Sequence, residues 1–149
     1  MHDIGKVGTP DRILLKPGRL DPDELVIMRE HARNGYEILR KSTSPLMQIA
    51  ATIALAHHEK FDGSGYPGGL AGEDIPLEGR IVAIADVFDA LTSARPYKVA
   101  WEIDRAVDLI KGERGKHFDP HLIDAFMNRF NDVLAIRERH RDDAAEAQA

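Results

Sequence analysis

Apolar residues in this chain recur at helical spacing and nowhere sustain the strict alternation of a half-buried strand, which confines it to an all-α fold. Asp21-Pro22-Asp23-Glu24 is a strong helix start: Asp21 suits the N-cap, Pro22 the first helical position, and Glu24 stands three residues after the cap. Leu25, Met28, Ala32, Tyr36 and Leu39 then keep helical spacing to about residue 41, and His31 faces the same way as that stripe. A second helix is predicted from Pro45 to about His58, with Ile49, Ala50, Ile53, Ala54 and His57 on one face. A third begins at Pro76, carries Ile81, Ile84, Ala85, Phe88 and Leu91 along one side, and should end before Pro96, which pushes its predecessor out of helical geometry. Two more helices are expected near 102–112 and 120–138, the latter opened by Asp119-Pro120. Residues 1–20 read as a helix end followed by a loop rich in Gly and Pro. Residues 59–75 hold five glycines, too many for the interior of a helix or strand. From His140 the apolar stripe is gone, and a frayed tail is expected over 140–149. No internal repeat is visible.

The length of 149 residues fits one domain able to bury roughly two-thirds of its unfolded surface. A net charge of −5 argues against duplex nucleic acid as a partner, yet leaves room for a local Lys/Arg cluster that receives a phosphate. There is no cysteine, which excludes disulfides, thiolate zinc sites and a cysteine nucleophile. The longest apolar run, Ile49 to Ala56, is too short to span a bilayer, and Met1-His2-Asp3-Ile4-Gly5 lacks the basic and apolar regions of a secretory leader. A cytoplasmic location is expected.

The chemistry concentrates in a few separated stretches. His57-His58-Glu59 is followed by the turn Asp62-Gly63-Ser64-Gly65-Tyr66-Pro67, and His2-Asp3 opens the chain. With His31 these offer nitrogen and carboxylate donors suited to ions of intermediate softness such as iron, manganese, zinc or nickel. His31 alone, on an apolar face, reads first as a satisfied core histidine. If residues 1–6 are helical, Lys6 shares a face with His2 and Asp3, where an anion between ammonium and metal would relieve the repulsion. Asp86 falls amid Ile81-Val82-Ala83-Ile84-Ala85 and Val87-Phe88, where a buried carboxylate is costly unless paired or metal-bound. It is favoured as ligand over Asp89. Glu59 reads either as the orienting partner of a ligand histidine or as an exposed helix-end acid. Arg95 and Lys98, flanking Pro96-Tyr97, have an ordinary helix-dipole explanation and, beside a metal-bound anion, would form a phosphate clamp. His117 is read as structural, His121 and His140 as solvated.

His2-Asp3-Ile4-Gly5-Lys6, His57-His58-Glu59 with Asp62-Gly63-Ser64-Gly65-Tyr66-Pro67, and Ala85-Asp86-Val87-Phe88-Asp89-Ala90-Leu91-Thr92 with Arg95-Pro96-Tyr97-Lys98 resemble the HD-GYP family. This is the GYP-bearing branch of the HD phosphohydrolase superfamily, and the likeness runs from Met1 to about Phe126, taking in Gly115, Phe118, Asp119 and Pro120. The resemblance implies an all-helical bundle with two or three divalent metal ions, iron or manganese foremost and zinc or nickel as alternatives. It implies hydrolysis of the bacterial second messenger cyclic di-GMP to pGpG and, in some members, to GMP. On that likeness His2 would bind one metal, Asp3 bridge two, His31, His57 and His58 bind the second, and Asp86 return to the first. Asp3 and Lys6 would be catalytic, while Lys6, Arg95 and Lys98 would hold the scissile phosphate. Tyr66 would lie in the loop associated with substrate fit and partner contacts.

One departure from the family pattern matters. A further histidine, and sometimes a glutamate, stands on a helix before the His-Asp pair, and this chain opens on that pair. The expectation is an HD-GYP domain over 1–139 lacking its first helix or helices, with a weak first metal site and little or no activity. Diguanylate cyclase (GGDEF) domains and an upstream receiver or sensor domain are the expected partners in a longer protein. The contrasting readings are a non-catalytic module that binds cyclic di-GMP or a diguanylate cyclase, and a nucleotidase acting on mononucleotides.

Overall fold

In a computed structural model of the chain, residues 1–94 and 99–146 are described, with side chains as far as residue 140. They form a helical assembly: a 3-10 helix at Ile4–Gly8, α1 at Asp11–Leu14, α2 at Pro22–Leu39, α3 at Pro45–Ala56, α4 at Leu77–Thr92, α5 at Ile103–Gly112, α6 at Pro120–Asn128 and α7 at Phe130–Glu146. Among the described residues there is no β-strand, only isolated bridges pairing Asp62 with Ala71 and Arg114 with Phe118. Among the described residues no helix is long and apolar enough to cross a membrane. The all-α expectation holds.

The helix starts follow their local chemistry. At α2 the Glu24 amide donates to Asp21 Oδ1 and the Asp21 amide to Glu24 Oε2, both at 2.9 Å, so two orphan donors are satisfied reciprocally. At α6 Asp119 accepts the His121 amide at 2.8 Å. The helix expected over 120–138 is instead two, broken at Arg129, whose ψ of 20° leaves the helical range. The Arg129 amide donates to the carbonyls of Ala125 and Phe126, the tightened bonding of a closing turn. Ile123, Met127, Phe130 and Val133 keep helical spacing across the break and all join one core, so periodicity alone could not mark it.

The two halves of the chain are packed differently. In the C-terminal half, Ala83, Ile84 and Phe88 of α4 close a core with Ile110, Phe118 and Ile123, and Phe126 and Phe130 set their rings edge-on to Phe88 at 5.5 and 5.9 Å. Arg137 of α7 donates to the last-turn carbonyl of Thr92 at 2.7 Å. In the N-terminal half the helices meet through small residues: Ala32 and Gly35 of α2, and Ala50, Ala51 and Ala54 of α3. The stripes read from sequence are corrected here. Leu25, Ile49 and Ile81 are all at least 40% exposed, because helices in contact along alanine and glycine leave large side chains at the edge of the seam.

Gly5 is the tightest of these contacts. A Cβ there would collide with the His31 carbonyl and the Gly35 amide, so the 3-10 helix lies backbone to backbone on α2. A similar approach seats Gly79 of α4 against Ala56 of α3. Replacing Gly5 by Ala is expected to cost about 1–3 kcal/mol through overpacking, read as a lower urea midpoint at unchanged slope.

A buried ion pair ties α4 to α6. Arg80 Nη1 lies 2.5 Å from Asp119 Oδ2, and Asp119 is 4% exposed. Burial alone would raise the Asp119 carboxyl, but the Arg80 hydrogen bond, the His121 and Leu122 amides and the Arg80 charge together hold it below its ordinary value. With a folded-state value below the unfolded one, this carboxylate contributes stability at neutral pH that is lost as pH falls below about 4. Asp119→Ala should lower stability by roughly 3 kcal/mol or more at pH 7, since it strands the Arg80 charge, and by less at pH 3. Urea unfolding at the two pH values measures both.

Candidate metal centre

The turn bonding of residues 1–9 sets the entrance of the site. The Ile4 amide donates to the Met1 carbonyl and the Lys6 amide to that of Asp3, so Asp3 stands at the N-cap of a 3-10 helix rather than inside an α-helix. Residues three apart eclipse in 3-10 geometry, and Lys6 Nζ accordingly donates to Asp3 Oδ2 at 2.6 Å. Seating Gly5 on α2 carries the Asp3 carboxylate to His31.

Two elements then supply three imidazoles. His31 projects from the middle of α2, His57 stands at the C-cap of α3, and His58 follows it as the helix gives way to a turn. Asp3, His31, His57 and His58 each place one ligand atom within 4.8 Å of the others. Asp3 Oδ1 lies 3.5 Å from His31 Nε2 and 3.9 Å from His57 Nε2, while Asp3 Oδ2 lies 3.6 Å from His2 Nε2. His2 Nε2 is also 3.6 Å from Asp86 Oδ1. The two oxygens of one carboxylate thus face two different donor groups.

Hydrogen bonds outside the cluster orient the rings. His31 Nδ1 meets the Met28 carbonyl at 2.6 Å, and His57 Nδ1 the carbonyls of Ala54 and Ile53 at 3.0 and 3.1 Å. A ring nitrogen against a carbonyl must carry the proton, which leaves the Nε2 lone pairs pointing inward. His58 Nε2 approaches His31 Nε2 at 3.1 Å. His57 Nε2 is buried without a hydrogen-bond partner, an arrangement that is costly unless something accepts its lone pair.

Electrostatics keep the His57 and His58 rings neutral. Burial, reinforced by His57 and His31, pushes His58 down to about 3. Burial and the neighbouring His2 also lower His57, against the two carbonyls that favour its charged form. Burial raises Asp3, but the Lys6 hydrogen bond and charge, with His2 and His31, outweigh it and leave the carboxyl below its ordinary value. Neutral imidazoles beside an ionised carboxylate are the protonation states a divalent metal requires. The donor set fits such an ion, and the His/Asp cluster could hold one.

Of the residues singled out from sequence, His2, Asp3, Lys6, His31, His57, His58 and Asp86 come together. Asp86 is more open than its apolar neighbours suggested, with its side chain 29% exposed, because it looks out of α4 toward His2 rather than into the core. Asp89 is not in the site; it accepts from Ser93 Oγ at 2.8 Å. Tyr66 stacks on the His58 ring at 4.8 Å between centroids, and burial pushes its phenol up to about 12 against the opposing Arg29 charge. Arg95 and Lys98 lie outside the described residues. His117 stacks on Phe118 at 4.2 Å and its carbonyl accepts the Phe61 amide, a structural role as expected. Glu59 does not orient a histidine: its buried carboxylate accepts the Gly68 amide at 2.6 Å and the Leu70 amide at 3.0 Å. Arg29, whose guanidinium sits 5.0 Å from the Tyr66 ring centre, was not legible in the sequence. Two residues before His31 on the same helix, it falls at no spacing that would link it to a loop residue.

A family model described as HD domain matches residues 1–122. The chain is 57% identical over 127 residues to a cyclic di-GMP phosphodiesterase response regulator of Xanthomonas campestris, covering 85% of this chain and 34% of the relative. It is 48% identical over 143 residues to a cyclic di-GMP phosphodiesterase of Thermotoga maritima, covering 96% and 39% respectively. It is 50% identical over 137 residues to 3'3'-cGAMP-specific phosphodiesterase 2 of Vibrio cholerae, covering 92% and 26%. The chain therefore spans between a quarter and two-fifths of the length of these relatives. With the motifs in order and the His/Asp cluster assembled, the chain belongs to the HD domain family, in its GYP-bearing branch.

Proposed function

We propose that this chain is the metal-dependent catalytic domain of a phosphodiesterase that opens cyclic di-GMP to pGpG. The observation that carries the reading is the convergence of Asp3, His31, His57 and His58 within 4.8 Å, with His2 on the far oxygen of Asp3 and Asp86 against His2. In this reading His31, His57 and His58 would hold one ion, His2 and Asp86 another, and Asp3 would contribute an oxygen to each. Iron or manganese suits such a nitrogen and oxygen set, with zinc and nickel as alternatives. A cytoplasmic setting goes with the substrate. Diguanylate cyclase (GGDEF) domains as partners, and a receiver or sensor domain elsewhere in a longer protein, belong to the same proposal.

The reaction joins a water oxygen to phosphorus and breaks the bond from phosphorus to the 3′ oxygen, which leaves with a proton. When bound, the divalent ions supply Lewis acidity toward the phosphoryl oxygen and the attacking water. The protein's own groups do the rest. Lys6 places its ammonium against Asp3 Oδ2, where it offsets phosphate charge at the rim. Tyr66, neutral and laid on His58, offers a ring face and a hydroxyl to a nucleotide. Arg95 and Lys98 would add the remaining cations of a phosphate clamp. The Vibrio cholerae relative named for 3'3'-cGAMP makes the mixed cyclic dinucleotide the second substrate to test.

The chain loaded with manganese or ferrous iron is expected to convert cyclic di-GMP to pGpG only slowly, in keeping with the weak first metal site expected of it, in a chromatographic assay run beside 3'3'-cGAMP. Asp3→Ala, His57→Ala and His58→Ala should each lower kcat/KM by more than about 100-fold, beyond the cost of losing an outer-sphere partner. Inactivity of the loaded wild type on both dinucleotides would sink the reading. Metal titration should resolve two affinities, because one position gathers four protein ligands and the other three. Asp86→Ala is expected to abolish only the weaker step; loss of both would contradict the assignment.

A further inference from the structure

We infer that Glu59 is a positioning residue that holds Tyr66 over the site, an inference that rests on the phosphodiesterase reading above. His58 and Glu59 are neighbours whose side chains go opposite ways. The His58 ring stacks with Tyr66, while the Glu59 carboxylate, in a residue 3% exposed, takes the amides of Gly68 and Leu70. Neither Glu59 oxygen meets an imidazole.

The backbone of the same dipeptide grips the other side of Tyr66. The Tyr66 amide donates to the His58 carbonyl at 3.2 Å. Gly65 lies so close to the Glu59 backbone and the Lys60 amide that a Cβ could not be accommodated. Tyr66 is thus pinned before and after by one dipeptide: at residues 65 and 66 by backbone contact, and at 68 and 70 by the carboxylate. The base of the loop is fastened separately, where the Phe61 and Asp62 amides donate to the carbonyls of His117 and Lys116 and the Gly72 amide to that of Phe61. Losing Glu59 therefore frees the segment that carries Tyr66 without opening the loop at its base or removing a metal ligand.

A carboxylate suits this task. Both of its oxygens accept, so it satisfies two amides at once; a glutamine would turn its own N–H₂ toward one of them and keep a single bond. Glu59 acts on substrate only through Tyr66, so its loss should appear in substrate binding rather than in the chemical step.

The test compares wild type, Glu59→Ala, Glu59→Gln, Tyr66→Ala and the Glu59→Ala/Tyr66→Ala double variant, all manganese-loaded. Glu59→Ala should raise KM for cyclic di-GMP roughly tenfold while kcat moves less than about threefold, with Glu59→Gln between it and wild type. Bound manganese should be unchanged, and the double variant should be no worse than Tyr66→Ala alone. Independently of turnover, the amides of Tyr66, Gly68, Gly69 and Leu70 should exchange hydrogen faster in Glu59→Ala while α3 keeps its protection. Multiplying KM losses in the double variant, a fall in bound manganese, or unchanged exchange at 66–70 would each overturn the inference. Should Glu59→Ala not fold, Glu59→Gln carries the same comparisons. A wild type without turnover would remove the phosphodiesterase reading alone, and the exchange and manganese measurements would still decide whether Glu59 holds Tyr66.

Discussion

The site depends on how closely the 3-10 helix at Ile4–Gly8 lies against α2. Gly5 rests on the His31 carbonyl and the Gly35 amide with no side chain between them. That contact brings Asp3 into the space faced by His31 and His57. Ala32, Ala50 and Ala54 keep α2 and α3 close, and Gly79 against Ala56 draws α4 to α3. Large apolar residues in these seams would hold the helices farther apart, and six donors from four elements would not converge.

The same small-residue packing takes His57 and His58 largely out of water and so favours their neutral forms. An imidazole taken out of water favours its neutral form, and a second imidazole beside it strengthens that preference. The outward Nδ1 atoms of His31 and His57 are fixed on carbonyls of their own helices, so each ring has one orientation and one tautomer. Asp3 is tuned the other way, with Lys6 keeping its carboxylate ionised. A cluster of neutral nitrogens around one anion is preorganised for a cation before any cation arrives.

Much of this was legible in the sequence, for identifiable reasons. The capping box at Asp21 and Glu24 and the cap-then-proline start at Asp119 are local codes, and local codes survive folding. The residues that converge could be named together because the motifs carrying them resemble one family in order and spacing; a double histidine or a lone His31 by itself would have read as ordinary surface or core. What could not be read depends on distant partners. The burial of large residues was overestimated at Leu25, Ile49 and Ile81, since periodicity identifies a face but not how wide a seam covers it. The break at Arg129 leaves the apolar spacing intact. Glu59 read either as a partner for a histidine, because it adjoins two, or as an exposed helix-end acid; its actual partners lie nine and eleven residues onward, across a loop whose path no spacing rule supplies.

Helix α4 joins the two halves, and its position implies an unequal coupling. Ile84 and Phe88 face the C-terminal core, while Asp86, turned about 200° from Ile84 around the axis, faces His2. Any shift of α4 caused by loosening that core, or the Arg80–Asp119 tie beneath it, is delivered to Asp86. The cluster of Asp3, His31, His57 and His58 stands wholly on the 3-10 helix, α2 and the end of α3, and contains no residue of α4. Strain in the core therefore reaches the contact of Asp86 with His2 first and the cluster of Asp3, His31, His57 and His58 last. A site built this way can lose the geometry of its more open side while its buried cluster stays assembled.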